Sequence, residues 1–294
     1  MPSVEQGEVL VKVRYCGVCG SDLHIFQNIG HVPSGGVMGH EISGLVTEIG
    51  SGVEKVRPGD RVTALCGGGY AEYVKMAEAQ VIPLPDSVTF EQGALSEPFA
   101  VGLRAVRESG LRAGDRAGIV GAGPIGLFTM LAAKLAGALD VYVAEISPAR
   151  IEAAKRMGAD GVFNSKTQDV ERDLQSMVGD GVDVAFDCAG AKGTLELSLH
   201  MLKKGGTVTV VGLSGLPDEF NPRWLFSKHA RIICVPGATE IWPMSVELMA
   251  QGRVDPSPAV SDIVSLDDLP RYLDVLRDPS SHVQVLVDPW GDRF

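Results

Sequence analysis

The sequence predicts an α/β protein of two domains, a small irregular β domain followed by a larger domain built on a doubly wound parallel sheet. Three observations support this prediction. The chain of 294 residues exceeds the size at which one hydrophobic core usually keeps growing. Residues 8–92 are rich in glycine and β-branched side chains and show few helical patterns. From residue 99 onward, short apolar runs alternate with amphipathic stretches, which is typical of strands buried on both faces.

Composition and charge exclude several classes of partner. A net charge of −11, with no basic run to offset it, disfavours nucleic acid and acidic lipid surfaces. No apolar run approaches the roughly 20 residues that cross a bilayer, and the N-terminus lacks the pattern of a secretory signal. The 5 cysteines are odd in number and scattered, which suits a reducing compartment. We therefore expect a cytoplasmic protein that binds neither nucleic acid nor membrane.

The order of predicted elements divides the chain at two places. Apolar and β-branched runs predict strands in the first domain at residues 9–13, 42–49, 61–65 and 70–74. Buried strands of the second domain are predicted at residues 117–120, 141–144, 182–186 and 207–211. The predicted domains are residues 1–98 and 99–250. Residues 251–294, with a helix at 266–276 and a strand at 282–287, are expected to return to the first domain.

A glycine fingerprint marks a dinucleotide site. Residues 121–126, which read Gly-Ala-Gly-Pro-Ile-Gly, follow a predicted strand and open a helix predicted to end at residue 136. Gly121 allows a tight turn, Gly123 a close approach of backbone to pyrophosphate, and Gly126 close packing of helix on strand. Pro124 and Ile125 begin the helix, whose N-terminal amides face phosphate charge. A glycine-rich turn that binds nothing is the alternative.

The acidic residue after the next strand indicates which dinucleotide binds. Glu145 is expected to accept hydrogen bonds from the adenosine ribose hydroxyls and to repel a 2′-phosphate, which favours NAD over NADP. Arg150 is close enough in sequence to weaken that preference as a cofactor-binding residue. We expect it instead to start the following helix with its side chain facing solvent.

A group of metal-binding residue types precedes the fingerprint. Cys19 lies in a glycine-rich turn, His40 follows Gly39, and Glu41 comes next. Glu97, before Pro98, is a further acid at the entry to the second domain. Zn²⁺ takes sulfur, imidazole nitrogen and carboxylate oxygen together. Taken singly, each residue is more often a buried cysteine or an ordinary polar contact, but together they predict a catalytic metal site.

Two neighbours of Cys19 suggest a route for a proton. A metal lowers the pKa of a bound oxygen towards neutrality, and the Ser21 hydroxyl with the His24 imidazole is able to pass the proton to solvent. The alternative for His24 is an ordinary helix-surface histidine. Asp22 is the expected partner for the second ring nitrogen of His40, or else a carboxylate that caps a backbone amide in the turn.

These residues stand in motifs that resemble the zinc-dependent medium-chain dehydrogenases, the alcohol and polyol dehydrogenase family. The resemblance covers essentially the whole chain. It is carried, in family order, by residues 17–24, 39–44, 56–62, 68–74, 97–101 and 121–126. The resemblance implies a GroES-like catalytic domain and a Rossmann domain.

The resemblance also implies roles for individual residues. Zinc would be held by Cys19, His40 and an acid, and Glu41 and Glu97 match two acids that lie at the metal in the sorbitol, butanediol and threonine dehydrogenase branch. One of them would bind directly and the other through water. By the same resemblance, the segments containing Cys188 and Val211–Gly212 pass the nicotinamide.

Three features depart from the family pattern. Residues 63–67 stand where relatives usually carry four cysteines that hold a structural zinc, so only one zinc, the catalytic one, is expected. About 25 residues that usually precede residue 7 in the family are missing, which leaves an open sheet edge as an expectation. Arg104 replaces a histidine often seen after the Glu-Pro pair.

The predicted function is zinc-dependent hydride transfer between a secondary alcohol, of the vicinal diol or polyol type, and NAD. Two alternatives stay open: a zinc-free quinone or enone reductase of the same superfamily, and a truncated NAD-binding module without turnover. The expected partner is a small alcohol or its ketone. The resemblance further implies a homo-oligomer, a dimer or a tetramer.

Overall fold

A computed structural model describes residues 2–26, 36–213, 221–235, 237–238, 240–278 and 282–294. The chain forms two compact units. Unit 1 comprises Met1–Glu97, Trp242–Asp278 and Gln284–Phe294, and unit 2 comprises Pro98–Ile241 and Pro279–Val283. No helix in the described part of the chain has the length and apolar character that a membrane span requires.

The strands of the described residues fall in both units. In chain order they are β1 (Glu8–Gly17), β2 (Glu41–Ile49), β3 (Arg61–Leu65), β4 (Tyr73–Ala77), β5 (Val81–Pro83), β6 (Arg116–Val120), β7 (Asp140–Glu145), β8 (Gly161–Asn164), β9 (Val182–Asp187), β10 (Leu202–Val210), β11 (Arg231–Cys234), β12 (Val260–Val264) and β13 (Gln284–Val287).

The α-helices lie mainly between strands of unit 2. They are α1 (Gly20–Phe26), α2 (Phe90–Ser109), α3 (Pro124–Leu135), α4 (Pro148–Arg156), α5 (Val170–Val178), α6 (Thr194–Met201), α7 (Pro222–Lys228), α8 (Trp242–Ala250) and α9 (Leu269–Val275).

Unit 1 is built on a mainly antiparallel sheet. Its described strands follow the order β12-β13-β1-β2-β3-β5, and β4 pairs with β1 off this path. Alternate residues of β1, including Val9, Val11 and Val13, point into the hydrophobic core, as the period of two along a strand requires. β13 pairs antiparallel with β1, so the end of the chain returns to this sheet.

Unit 2 contains a parallel sheet with the order β11-β10-β9-β6-β7-β8. Within this sheet the chain enters at β6 and adds β7 and then β8 on one side. It then crosses to the other side of β6 and adds β9, β10 and β11. The strand order therefore reverses between β6 and β9, and ligands of open α/β sheets bind at the carboxyl ends of the strands at such a point. The predicted fold class, a β domain with a doubly wound parallel-sheet domain, is confirmed.

The structure corrects some predicted bounds. The strand predicted at residues 70–74 forms at Tyr73–Ala77, because the backbone amides of Gly69 and Tyr70 bond to the carbonyls of Gly39 and Met38 instead. The helix predicted at 266–276 is shorter, at Leu269–Val275. The second domain is predicted to end at residue 250, whereas the chain passes from unit 2 to unit 1 between Ile241 and Trp242.

The reason for the last difference is a buried polar contact. The indole Nε1 of Trp242 donates to Ser96 Oγ over 2.8 Å, and Ser245 Oγ donates to the Ser96 carbonyl over 2.7 Å. All three residues belong to unit 1, so α8 is held there.

Candidate active site

Three of the predicted metal ligands lie together in unit 1. Cys19 Sγ, a ring nitrogen of His40 and a carboxylate oxygen of Glu41 all lie within 4.8 Å of one another. The group offers one sulfur, one nitrogen and one oxygen. That donor set matches what zinc accepts at a site with one open position.

The pairing of β1 with β2 explains why these residues meet. The two strands are antiparallel, and Gly17, the last residue of β1, lies opposite Glu41, the first residue of β2. Cys19 follows β1 directly, and His40 immediately precedes β2. Residues distant in sequence are thus brought to the same end of one ladder.

The carboxylate of Glu41 is buried without a full set of partners. The residue is 3 % exposed, and Oε2 has no hydrogen-bond partner among the described residues. Burial and the negative charge of Cys19 raise the pKa of Glu41 well above its usual range. A Cβ on Gly17 would overlap this oxygen, so glycine is needed there. An unpartnered buried carboxylate oxygen fits a cation bound among these three donors.

His40 presents one ring nitrogen to the cluster and the other to an acid. Its Nδ1 lies 3.5 Å from Asp22 Oδ1, and its Nε2 lies 3.8 Å from Glu41 Oε1. Burial alone would lower the pKa of His40, but hydrogen bonds with Asp22 and Cys19 raise it to about 11. Since a metal needs the neutral ring, metal binding would release this proton.

The surroundings of Cys19 favour the thiolate form of its side chain. Burial would raise the pKa of its thiol, but the hydrogen bond and positive charge of His40, with a hydrogen bond from Ser21, lower it overall. The thiolate is the form that binds metals.

The remaining predicted residues of this site lie around the cluster. Glu97, on α2, is half-buried and outside the group of three donors. Burial raises its pKa, and the positive charge of His40 opposes this shift. Ser21 and His24 are exposed on the same face of α1, three residues apart. Among the contacts between described residues, none joins the Ser21 hydroxyl to the His24 ring.

Sequence reasoning missed one residue of this site, Tyr70. Its hydroxyl donates a hydrogen bond to Asp22 Oδ2 over 2.6 Å, and the same oxygen accepts the N–H of Cys19 over 3.1 Å. Asp22, 1 % exposed, therefore faces His40 and also caps a backbone amide, so both interpretations of this residue are confirmed. Tyr70 stands in a motif used for the resemblance, but nothing in the sequence pairs it with Asp22.

The glycine loop in unit 2 has the predicted shape. Gly121 follows β6 with φ +91°, a left-handed conformation that glycine adopts without strain. A Cβ on Gly126 would overlap the carbonyl oxygen of Gly121, so the third glycine allows α3 to pack against the turn. Gly123 is the N-cap of α3, and Pro124 and Ile125 form its first turn. The first amides of a helix have no partner within that helix, and those of α3 come directly after the glycine turn that follows β6.

Glu145 lies at the end of β7, where the sequence placed an acid for the ribose. The residue is 5 % exposed. Its Oε2 accepts the N–H of Ala122 over 2.7 Å, and its Oε1 accepts the N–H of Ile146 over 2.6 Å and of Ser147 over 2.9 Å. The carboxylate thus ties the glycine loop to the loop after β7. Its contact with a ribose stays a prediction.

The expected solvent-facing position of Arg150 is wrong. The side chain is half-buried, and its Nε donates to the carbonyl of His282 over 3.3 Å. A Cβ on Gly123 would lie 3.7 Å from Arg150 Nη1, which puts the guanidinium beside the glycine loop. Burial lowers the pKa of Arg150, and the charge of Glu145 opposes this shift. The start of α4 turns the side chain inward, and sequence spacing alone did not indicate this.

Two further loops lie at the carboxyl ends of β9 and β10. Cys188 follows β9, and Val211 and Gly212 follow β10. A Cβ on Gly212 would lie 2.6 Å from the backbone nitrogen of Gly190, and one on Gly121 would lie 2.7 Å from Ala189 Cβ. The loops therefore pack backbone against backbone, side by side with the glycine turn. Burial raises the pKa of Cys188 to about 12, so this residue is a neutral thiol.

Comparison with known proteins finds relatives over nearly the whole chain. Residues 5–86 match the family model of the alcohol dehydrogenase GroES-like domain, and residues 124–251 match that of the zinc-binding dehydrogenase. The chain is 36% identical to (R,R)-butanediol dehydrogenase of Bacillus subtilis strain 168, over 98% of this chain and 94% of the relative. It is 33% identical to sorbitol dehydrogenase of the same organism, over 91% and 86%.

Solved structures agree in fold. The crystal structure of 2R,3R-butanediol dehydrogenase from Bacillus subtilis superposes with a TM-score of 0.88 at 36% identity, covering 98% of this chain and 94% of that one. A structure assigned to the zinc-binding dehydrogenases, from Sinorhizobium meliloti 1021 and bound to NADP, has a TM-score of 0.91 at 30% identity, with coverage of 98% and 94%.

Proposed function

This chain belongs to the zinc-dependent medium-chain dehydrogenases, in the branch of butanediol and sorbitol dehydrogenases, and we propose that it oxidises a secondary hydroxyl of a vicinal diol or polyol. NAD is the proposed hydride acceptor. The names of the relatives support this substrate class.

The observation that carries the proposal is the cluster of Cys19, His40 and Glu41. A sulfur, a nitrogen and a carboxylate oxygen within 4.8 Å form a mixed donor set. A carboxylate in place of a second thiolate makes the site harder and more polar, which suits a substrate with two neighbouring hydroxyls. A zinc-free quinone or enone reductase has no use for such a cluster.

The residues divide the chemistry between them. Cys19, His40 and Glu41 would hold one zinc ion, which supplies the Lewis acidity that makes a substrate hydroxyl acidic near neutral pH. Asp22 holds His40 Nδ1, so that Nε2 faces the other donors. Glu97 lies outside the donor group, and we propose that it acts on the metal through water.

The oxidation releases one hydride and one proton. A bound nicotinamide would accept the hydride, which is the hydrogen of the substrate C–H bond with both electrons, and the hydroxyl oxygen gives up its proton as the C=O bond forms. We propose that Ser21 Oγ accepts this proton while donating its own to the His24 ring, which releases it to solvent. Their exposed positions on one face of α1 support this route.

Glu145 supports NAD over NADP, because its carboxylate beside the glycine loop opposes a 2′-phosphate. The positive charge of Arg150, beside Gly123, weakens this preference for NAD because it attracts a 2′-phosphate. The ratio of kcat/KM for NAD+ over NADP+ tests this point, and a ratio below one would contradict it.

The direct test of the function combines metal content and turnover. Purified protein is expected to bind one zinc ion per chain and to reduce NAD+ with a vicinal diol or polyol. Cys19→Ala should lose both properties, whereas Cys234→Ala, the same change at an exposed thiol in unit 2, should keep them. Zinc content unchanged in Cys19→Ala would refute the site. NADH binding without turnover in zinc-replete protein would favour a binding module.

We propose a homo-oligomer as well. β11 is an edge strand in the described sheet of unit 2, and its end residues Arg231 and Cys234 are exposed. An edge strand offers unpaired backbone groups to a second copy. Light scattering on the purified protein tests this, and a monomer at micromolar concentration would contradict it. A cytoplasmic location stays a proposal, to be tested by cell fractionation.

A further inference from the structure

We infer that Tyr70 is a positioning residue for the metal site, acting through Asp22 on His40. The inference rests on the proposed function, since it concerns the affinity of the Cys19, His40 and Glu41 cluster for zinc. It assigns a role to a hydroxyl whose hydrogen bonds among the described residues go to Asp22 and Gly17 rather than to the three donors.

The first step is the hydrogen bond between Tyr70 and Asp22. Tyr70 is 9 % exposed, and its hydroxyl lies 2.6 Å from Asp22 Oδ2. This is the short distance of a hydroxyl that donates to a carboxylate. A weaker contact, over 3.5 Å, reaches the carbonyl of Gly17.

The second step is that the two carboxylate oxygens of Asp22 have different partners. Oδ2 accepts from the Tyr70 hydroxyl and from the Cys19 N–H, and Oδ1 lies 3.5 Å from His40 Nδ1. Two donors on one oxygen fix the rotation of the carboxylate. The other oxygen is then held at the imidazole ring.

The third step is the packing and backbone hydrogen bonding that hold the Tyr70 ring in position. A Cβ on Gly39, which has φ +88°, would lie 2.7 Å from Tyr70 Cδ1. The Tyr70 N–H donates to the Met38 carbonyl over 2.9 Å, and the Gly69 N–H donates to the Gly39 carbonyl over 2.8 Å. The segment that carries Tyr70 is therefore bonded to the two residues that precede His40. These bonds fix the position of the Tyr70 ring relative to His40.

These contacts make Tyr70→Phe a selective change. The phenyl ring still packs on Gly39, and only the donor to Asp22 is lost. One oxygen of a buried carboxylate then keeps a single donor, and the carboxylate is free to turn away from His40. Loss of such an outer partner is expected to weaken zinc binding about tenfold.

Zinc affinity, measured by competition with a chromophoric chelator, gives the first readout. Tyr70→Phe should bind about tenfold more weakly than the unaltered protein. Tyr73→Phe is the matched control: it removes a hydroxyl three positions along the chain, where the ring packs against Trp290 with centroids 5.5 Å apart. This control should bind zinc normally.

Cobalt substitution gives a readout that a purely structural role would not move. The visible absorption bands of bound Co²⁺ report ligand geometry, and they should shift in Tyr70→Phe but not in Tyr73→Phe. Thermal unfolding of the metal-free proteins serves to exclude a general loss of folding.

A double-mutant cycle tests whether Tyr70 acts through Asp22. Asp22→Asn should weaken zinc binding, and adding Tyr70→Phe to it should cause little further loss. Additive losses, or normal zinc affinity in Tyr70→Phe, would overturn the inference. If Cys19→Ala loses zinc while Tyr70→Phe binds it normally, the proposed site stands and only this inference fails. If Cys19→Ala keeps its zinc, the proposed function itself fails.

Discussion

The carboxylate of Glu145 accepts the backbone N–H of Ala122 over 2.7 Å, in the middle of the glycine loop. The acid at the end of β7 thus holds in place the turn that precedes α3. One side chain connects the phosphate end and the ribose end of the proposed cofactor site.

Glu145→Gln is expected to weaken NADH binding and lower the free energy of unfolding of the protein by about 1–3 kcal/mol. The amide has one accepting oxygen, so a backbone N–H of Ala122, Ile146 or Ser147 would lose its partner. Fluorescence titration and urea unfolding measure the two effects. Glu152→Gln, at an exposed position of α4, is the control and should change neither. Unchanged NADH affinity in Glu145→Gln would contradict the prediction.

Gly212→Ala is expected to destabilise the protein by about 1–3 kcal/mol, the usual cost of overpacking. A Cβ at this position would lie 2.6 Å from the Gly190 nitrogen and 2.8 Å from the Cys188 carbonyl carbon, and backbone cannot move aside as a side chain can. Urea unfolding checks this value. Gly237→Ala is the control, because nothing lies within 4 Å of a Cβ there. Equal stability of the two variants would show that the loops after β9 and β10 separate at little cost in free energy, which would contradict the prediction.

Gly17→Ala should lower zinc affinity about tenfold or more. The added Cβ would overlap Oε2 of Glu41, so the carboxylate must leave its present position. Equilibrium dialysis against buffered zinc measures the change on folded protein. Gly20→Ala is the matched variant, since a Cβ there meets nothing within 4 Å. If both variants bind zinc alike, Glu41 is not a ligand.

Asp183 should stabilise the fold at neutral pH and lose this effect in acid. Burial would raise the pKa of its carboxyl, but the Arg116 N–H at 2.9 Å and the Lys203 ammonium lower it overall. Since the pKa in the folded state lies below the ordinary value, the stabilisation is present above about pH 4 and disappears as the pH falls through the lowered pKa.

The measurement is urea unfolding of the unaltered protein and Asp183→Asn at pH 7 and at about pH 3. The difference in free energy of unfolding between the two should shrink at acid pH. Asp180→Asn, at an exposed neighbouring position, should show no such difference at either pH. A difference that is constant with pH would contradict the assignment.

Several features of the fold were predictable because they depend on neighbours in sequence. The strand predicted at residues 61–65 forms at Arg61–Leu65, and β6 and α3 flank the glycine loop as expected. A strand that is apolar throughout, or a turn that needs φ above zero, leaves its mark in a few consecutive residues. The strand predicted at residues 70–74 begins only at Tyr73. Alternation of apolar and polar residues cannot show that the backbone of Gly69 and Tyr70 bonds to another segment.

The candidate metal site was predictable as a set of residue types and not as an arrangement. Cys19, His40, Glu41 and Glu97 stood out by motif, but the sequence treated the two acids alike. The structure places Glu41 among the donors and leaves Glu97 outside them. The pairing of β1 with β2 brings Glu41 to this position, because it sets Glu41 opposite Gly17, two residues before Cys19.

The sequence by itself determined the class of fold, the glycine turn and the donor types, because each is encoded by side-chain chemistry and spacing within a short segment. Only the tertiary structure decided that Tyr70 reaches Asp22, that Arg150 turns toward Gly123, and that Glu145 bonds the glycine loop. These contacts join distant segments, and their existence depends on how whole strands and helices pack rather than on any local pattern.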